Sequence, residues 1–254
     1  MIELPTTKRA ATQVHPKFAV FIGQPKSGKT TIMAQLPNNL IIDLENGTDY
    51  YDAMVVKATN IDELSQIAAS IAASEHKYDY ITIDTASVLD EMVLPLAAMM
   101  YLSGTTCGKA TKDEAAADPN WRFKFDVREM PNGAGYLFHR NAFKAVIQKF
   151  MPLPTRTLIL IAHAKDKQIN IDGRDLDEIH PDLTGKLHRL IPSQADAVGL
   201  VYRQGKKTIL TFEGGGSAIV ESRTPHLRNK KFVVAESDKE GKLTVNWDEI
   251  FPAD

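Results

Sequence analysis

The chain has 254 residues, of which 43% are hydrophobic and 24% are charged, and its formal net charge is -2. These values exclude a mainly disordered or collagen-like chain, and the near-neutral charge excludes a strongly basic nucleic-acid-binding protein, although local basic patches stay possible. The single cysteine, Cys107, cannot form an internal disulfide, which favours a reducing compartment.

The apolar pattern predicts strands that alternate with helices and are followed by hairpins. The predicted strands cover residues 18–22, 39–43, 54–57, 80–84, 157–162, 168–171, 197–202 and 207–212. The predicted helices cover residues 30–35, 61–73, 85–102 and 136–150, with Pro95 a kink or an end in the third. We therefore expect an α/β fold, with a mainly parallel sheet flanked by helices and antiparallel hairpins at its C-terminal edge.

The composition along the chain indicates one domain over residues 1–254. Residues 1–17 are polar and are expected to form an N-terminal arm, and residues 103–132 to form an insertion or mobile loop. The longest nearly apolar stretch, Val93 to Leu102, is about half of the roughly 20 residues that a membrane span needs. The N-terminus shows no secretory signal, so we expect a cytoplasmic protein without a membrane partner.

Residues 23–30 read Gly-Gln-Pro-Lys-Ser-Gly-Lys-Thr and match the phosphate-loop pattern G-x-x-x-x-G-K-[ST], between an apolar strand and a helix. The glycines allow a tight turn whose N–H groups point at phosphate oxygens, and the helix adds its positive end. The alternative is a Gly-rich turn with a solvated lysine. The residues expected to bind ATP are Gly23, Pro25, Lys26, Ser27, Gly28, Lys29, Thr30 and Thr31.

Three acidic residues follow predicted strands. Asp84 lies where P-loop NTPases place an acid that holds Mg²⁺ together with the hydroxyl of Thr30. Asp43 and Glu45 follow the strand at 39–43, and Glu45 can face the γ-phosphate if that strand neighbours the phosphate-loop strand. Glu45 is then the catalytic base, although a solvated carboxylate before the turn at residues 46–47 is the alternative, and a role for Asp43 is weaker.

His163 ends the most apolar strand, at a third carboxyl edge of the expected sheet. A histidine there can sense the γ-phosphate through a hydrogen bond and pass the signal to the following loop. The alternative is a partly buried structural histidine. The remaining histidines show no metal-ligand spacing.

Four stretches occur in one order along the chain: GQPKSGKT at 23–30, IIDLENG at 41–47, YDYITIDT at 78–85 and LILIAHAK at 158–165. This order resembles the RecA-like ATPase core, and in particular the phage nucleotide-binding proteins of the AAA-type, RecA-core family, some of which are single-strand annealing recombinases. The resemblance covers about residues 17–224 and implies one RecA-like ATPase domain, although His163 stands where RecA itself has a glutamine.

The resemblance implies a role for each motif. Lys29 and its neighbours would hold phosphates and Mg²⁺, Asp84 would be the Walker B acid, Glu45 the catalytic base and His163 the γ-phosphate sensor. Arg223 would be a basic finger supplied to the ATP site of a neighbouring subunit, which implies a homo-oligomer with shared sites. The loop after His163 would face single-stranded DNA, through Lys165, Lys167 and Arg174.

The expected function is thus Mg²⁺-dependent ATP hydrolysis that acts on single-stranded DNA in phage recombination, annealing or replication, in the bacterial host cytoplasm. Aromatic and basic residues in the region 103–132 are further candidates for DNA contact, but nearby acids nearly cancel their charge. A P-loop kinase is one alternative, and no Arg-dense lid supports it. A nucleotide-gated interaction module without DNA activity is another.

Overall fold

The structure is a computed structural model that describes residues 4, 6–10, 13–104, 126–171, 174–214 and 219–253. Its strands are β1 Phe18–Gly23, β2 Asn39–Asp43, β3 Met54–Lys57, β4 Tyr80–Asp84, β5 Thr157–Ile171, β6 Arg174–Pro181, β7 Ala197–Gln204, β8 Lys207–Thr211, β9 Glu221–Ser222, β10 Lys231–Ser237 and β11 Leu243–Val245. Its helices are α1 Lys29–Ala34, α2 Ile61–Ala73, α3 Ala86–Met92, α4 Leu94–Gly104, α5 Tyr136–Phe150 and α6 Leu187–Gln194.

The strands form one sheet in the order β11-β10-β8-β7-β1-β5-β4-β2-β3, with β6 paired to β5 and β9 paired to β7. Strands β7, β1, β5, β4, β2 and β3 run parallel, while β8, β10 and β11 extend the sheet with antiparallel pairs. The predicted α/β fold with a mainly parallel sheet and antiparallel C-terminal strands is confirmed. All the parallel strands end at one edge of the sheet, and that edge collects the residues that follow them.

Alternate residues of the parallel strands point to opposite faces, and each face carries its own core. On one face, Val20 and Ile22 of β1 pack with helices α2 to α6. On the other face, Phe21 packs with α1 and with Trp247 and Phe251 from the C-terminal segment. This burial on both faces explains why the central strands read as continuous apolar runs.

Several elements have the bounds that the sequence predicts, namely β2, β3, β4, α2 and α5. The predicted helix 85–102 is instead two helices, α3 and α4, which meet at Val93. Pro95 has no N–H to donate to the carbonyl of residue 91, which explains the break. The strands predicted at 157–162 and 168–171 are one long strand, β5, whose hairpin partner β6 was not predicted.

Much of the predicted insertion, residues 105–125, lies outside the described residues. Its described end folds into two short 3-10 turns, Val127–Glu129 and Pro131–Gly133, and Val127 is fully buried. Arg128 there binds Asp126 at 2.7 Å and Glu91 of α3 at 2.5 Å. These contacts fix the chain against α3 just before α5 begins.

Residues 86–103, the span of α3 and α4, are long and apolar enough by length and composition alone to cross a membrane. This stretch is longer than the nearly apolar run from Val93 to Leu102 because it also includes Asp90 and Glu91. Core helices of soluble proteins pass the same test, and Leu89, Val93 and Ala97 of this stretch are fully buried in the core.

Gly135, just before α5, lies against the first 3-10 turn. A Cβ at this position would lie 1.6 Å from the carbonyl oxygen of Val127, a backbone atom that cannot swing away. We expect Gly135→Ala to lower the free energy of unfolding by about 1–3 kcal/mol, as overpacking does. Gly47→Ala is the matched control, since nothing lies within 4 Å of its added Cβ. Equal denaturation midpoints for the two variants would contradict this packing.

Candidate active site

The phosphate loop connects the end of β1 to the start of α1. Gly28 has a φ of 96°, a left-handed conformation that glycine adopts without strain. Lys29 is only 5% exposed, and its Nζ donates hydrogen bonds to the carbonyl oxygens of Gly23 at 2.7 Å and Gln24 at 2.8 Å. Burial lowers the pKa of Lys29, and the carboxylates of Asp84 and Glu45 act in the opposite direction. The charge of Lys29 therefore lies against carbonyl oxygens of the phosphate loop and not in solvent.

The other loop residues differ in exposure. Pro25 and Lys26 are exposed, and Ser27 is buried with an Oγ that has no hydrogen-bond partner among the described residues. The hydroxyl of Thr31 lies 3.0 Å from that of Tyr51. The loop thus holds an unsatisfied buried hydroxyl next to a helix N-terminus, which suits a bound anion.

Asp84 and Thr30 meet at the same edge of the sheet. The Thr30 hydroxyl donates to Asp84 Oδ2 at 2.6 Å, and the other carboxylate oxygen is buried without a partner among the described residues. Burial raises the pKa of Asp84 to about 6, and the hydrogen bond from Thr30 opposes this shift. A hydroxyl and a carboxylate with a free oxygen are the hard oxygen ligands that Mg²⁺ takes.

Glu45 lies between two hydrogen-bond donors at the same edge. Its Oε1 accepts from the Thr85 hydroxyl at 2.8 Å and lies 3.1 Å from Nε2 of His163. The hydrogen bond from His163 lowers the pKa of Glu45 most, burial opposes it, and Thr85 and Lys29 lower it further. Glu45 is therefore an ionised carboxylate whose orientation is set from β4 and from β5.

Asp43 has a different environment and shapes the loop that carries Glu45. It is buried, and its carboxylate accepts the Thr48 hydroxyl at 2.5 Å and the N–H groups of residues 45, 47 and 48. Burial raises the pKa of Asp43, but these hydrogen bonds outweigh burial, so the net shift is downward. Its acceptor capacity is used locally, and its role is to hold the turn after β2.

The strand order does not meet the condition under which Glu45 was to face the γ-phosphate. That condition placed β2 next to the phosphate-loop strand, but β5 and β4 lie between β2 and β1. Glu45 instead lies beyond the end of β2 and reaches the end of β4, where the Thr85 hydroxyl donates a hydrogen bond to its carboxylate. Thr85 is the residue that sequence reasoning missed, and its position directly after Asp84 is the only local signal for it.

The remaining predicted residues lie apart from this cluster. Arg223 follows β9, which pairs with the start of β7, so it lies at the sheet edge opposite to the phosphate loop. Its guanidinium contacts Asp196 at 3.4 Å and the Ser193 carbonyl at 3.0 Å. In the β5–β6 hairpin, Lys165 binds Asp182 at 3.0 Å. Residues 167 and 174 belong to the same hairpin by backbone register, and their side chains lie outside the described part of the chain.

Comparison with known proteins gives a family. The model of a family described as AAA domain, AAA_24, matches residues 15–232. No curated protein matches the chain. Among solved structures, the crystal structure of the RadB recombinase is similar at 10% sequence identity, over 90% of this chain and 90% of that chain, with a TM-score of 0.44. The residues matched by the family model include the phosphate loop and the strands whose ends form the candidate site.

The two donors on Glu45 predict how its pKa responds to mutation. His163→Phe should raise the pKa of Glu45 more than Thr85→Val, because the hydrogen bond from His163 lowers it most. As pH falls through the Glu45 pKa the carboxylate protonates, so both variants should lose the ionised form at a higher pH than the wild type. Carboxyl ¹³C chemical shifts followed through a pH titration measure this. Thr31→Val removes a hydroxyl whose hydrogen-bond partner within the described residues is Tyr51, and it should leave the pKa of Glu45 unchanged.

Proposed function

The chain belongs to the AAA domain family, and we propose that it binds ATP with Mg²⁺ and hydrolyses the γ-phosphate bond. The observation that carries this proposal is the meeting of three groups at one sheet edge. These are the buried phosphate-loop lysine, the Thr30–Asp84 pair and the oriented carboxylate of Glu45. Hydrolysis needs a cation on the phosphates, a metal site and a base, and these groups supply all three.

The polar atoms of the phosphate loop fit the phosphates of ATP. The loop ends at a helix N-terminus, and the buried Ser27 hydroxyl has no described partner. Lys29 already lies against the loop carbonyls and would exchange these neutral acceptors for phosphate oxygens. Gly23 and the residues 25–31 would surround the phosphates.

The donor set at Thr30 and Asp84 fits Mg²⁺, since one buried oxygen of Asp84 lacks a described partner. The ion would be held by these two residues and would neutralise charge that develops on the phosphates. Burial raises the pKa of Asp84 to about 6, which means that its negative charge is disfavoured. A neighbouring cation would stabilise that charge.

Glu45 is proposed as the catalytic base. Both described donors bind its Oε1, which leaves Oε2 to accept a proton from an attacking water. His163 touches Glu45 at the root of the β5–β6 hairpin and is proposed as the γ-phosphate sensor. A change at the phosphate would thereby reach the hairpin through one side chain.

We propose that the ATP site is completed by a second copy of the chain. Arg223 lies at the sheet edge opposite to its own phosphate loop, so it is placed to serve a neighbour and not its own site. A guanidinium from the next subunit would stabilise transition-state charge. Its contacts with Asp196 and Ser193 are exposed and can be exchanged for phosphate at low cost.

Single-stranded DNA is the proposed polymer substrate, in phage recombination, annealing or replication in the host cytoplasm. By backbone register, residues 165, 167 and 174 fall on the same face of the β5–β6 hairpin as His163. Cations at these positions suit a phosphate backbone. The link from this hairpin to Glu45 through His163 supports DNA-dependent hydrolysis.

Glu45→Gln should keep ATP binding and lower the turnover by roughly 10²–10⁴-fold, the contribution of a positioned general base. Steady-state phosphate release and binding of a fluorescent ATP analogue measure the two effects. Asp49→Asn is the matched control, because this exposed carboxylate pairs only with Lys57 among the described residues. Equal turnover in Glu45→Gln and the wild type would refute the assignment.

The DNA and oligomer parts of the proposal are tested by turnover with and without single-stranded DNA, together with light scattering. We expect DNA to stimulate turnover and the particle to be larger than a monomer. A persistent monomer without stimulation would favour the alternatives, a phosphotransferase or a nucleotide-gated module.

Arg223 is tested by mixing two inactive variants. Arg223→Ala keeps its own phosphate loop, and Lys29→Ala keeps its arginine, so the mixture should regain turnover that neither variant shows alone. Arg228→Ala, which removes a nearby arginine bound to backbone carbonyls, should stay active by itself. No recovery in the mixture would show that Arg223 does not act across subunits.

A further inference from the structure

A buried contact between a carboxylate and an imidazole ring joins helices α3 and α5. Asp90 of α3 is 4% exposed and His139 of α5 is fully buried. Nε2 of His139 lies 3.1 Å from Asp90 Oδ1 and 2.9 Å from the Asp90 carbonyl oxygen. The second carboxylate oxygen of Asp90 accepts the N–H of Thr184 at 2.8 Å. The pair therefore joins two helices to the loop that follows β6.

That loop is bound to His163 and to α3 by further hydrogen bonds. The N–H of Asp182 donates to the carbonyl oxygen of His163 at 2.8 Å. The hydroxyl of Ser87, near the start of α3, donates to the carbonyl oxygen of Asp182 at 3.2 Å. The carboxylate of Asp182 also binds Lys165, two residues beyond His163. Residues 182–184 thus link the middle of β5, at residues 163–165, to the first turns of α3.

These contacts close a ring that contains the proposed catalytic base. Thr85 immediately precedes α3, and His163 lies in β5, yet both place a donor on the same oxygen of Glu45. The pairing of β4 with β5 brings the two donors near each other, and the 182–184 loop adds a second link, because it binds α3 through Ser87 and Asp90 and binds β5 through the His163 carbonyl. A shift of this loop would move His163 relative to Thr85.

We propose that Asp90, held by His139, is a positioning residue for hydrolysis at Glu45, an inference that rests on the proposed function. A buried carboxylate without a polar neighbour is costly, and the His139 ring beside Asp90 holds that carboxylate where it accepts the loop N–H of Thr184. Burial alone would lower the pKa of His139, but Asp90 outweighs burial and raises it, while Arg128 acts against the rise. The charge of His139 also lowers the pKa of Asp126, so Asp126 is a further charged group that interacts with His139.

The test compares turnover and nucleotide affinity in Asp90→Ala. The phosphate-loop residues proposed to bind most of the nucleotide lie outside the ring, so the affinity for a fluorescent ATP analogue should stay close to that of the wild type. Turnover per bound nucleotide should fall by roughly 10–100-fold, because small misplacements of reacting groups cost about that much. Normalising to bound nucleotide removes any loss that comes from an unfolded fraction.

Asp79→Ala is the matched control for a lost structural carboxylate. Asp79 binds Asn38 and Arg156 just before β4 begins, at the end of the strand opposite to Asp84. It should lower stability without changing turnover per site. If Asp90→Ala fails to fold, Asp90→Asn, which keeps an oxygen acceptor of the same shape, should show a smaller loss of turnover with unchanged affinity.

A spectroscopic readout separates this inference from the proposed function. The ¹⁵N resonance of His163 Nε2 reports its hydrogen bond with Glu45, and it should shift in Asp90→Ala and stay in place in Asp79→Ala, even without nucleotide. An unshifted resonance and unchanged turnover per site would overturn the positioning role. If the wild type hydrolyses no ATP but the resonance shifts, the proposed function fails while the mechanical link stands.

Discussion

Two hydrogen bonds on one oxygen of Glu45 are the constraint on which the rest of the site depends. Of the two donors, Thr85 follows β4 and His163 lies within β5, and these strands are neighbours in the sheet. A parallel sheet brings such positions to a common edge, but it does not by itself align their donors on one atom. That alignment requires the turn after β2, which Asp43 holds through its bonds to the loop amides. A buried acid thus sets where a half-exposed one can act.

The fold and much of this edge follow from patterns that are local in the sequence. The phosphate loop is one continuous stretch, and the apolar runs that precede Asp84 and His163 identify strands whose ends meet. Thr85 and Asp90 escaped prediction because their roles depend on partners 40 and 94 residues away. The place of β2 in the sheet could not be predicted either, since periodicity predicts that a strand exists but not which strands flank it. The features that could be predicted depend on residues close together in the sequence, whereas those that could not depend on contacts between residues far apart in it.

Arg223 illustrates the same division from the other side. Its residue type and its place after the antiparallel hairpin predict a cation on a strand end, but only the sheet topology shows at which edge it lies. Since β9 pairs with the start of β7, the arginine and the phosphate loop occupy opposite edges. A monomer therefore separates two groups that the proposed chemistry needs together, and stacking of copies edge to edge would reunite them. The near-neutral net charge is compatible with such stacking, because no large field of one sign opposes it.

The surroundings of Glu45 and Asp84 shift the pKa values of these two acids in opposite directions, and this difference supports the roles proposed for them. Burial raises the pKa of Asp84 to about 6, whereas donors and the Lys29 charge lower that of Glu45. Near neutral pH, Glu45 is ionised and can accept a proton. Burial disfavours the negative charge of Asp84, so a nearby cation would stabilise that charge more than it would stabilise the charge of Glu45. Exchanging the two residues would place a metal ligand in the better-solvated position and a base in the buried one. The proposed base and the proposed metal ligand are thus similar side chains that differ in how deeply they are buried.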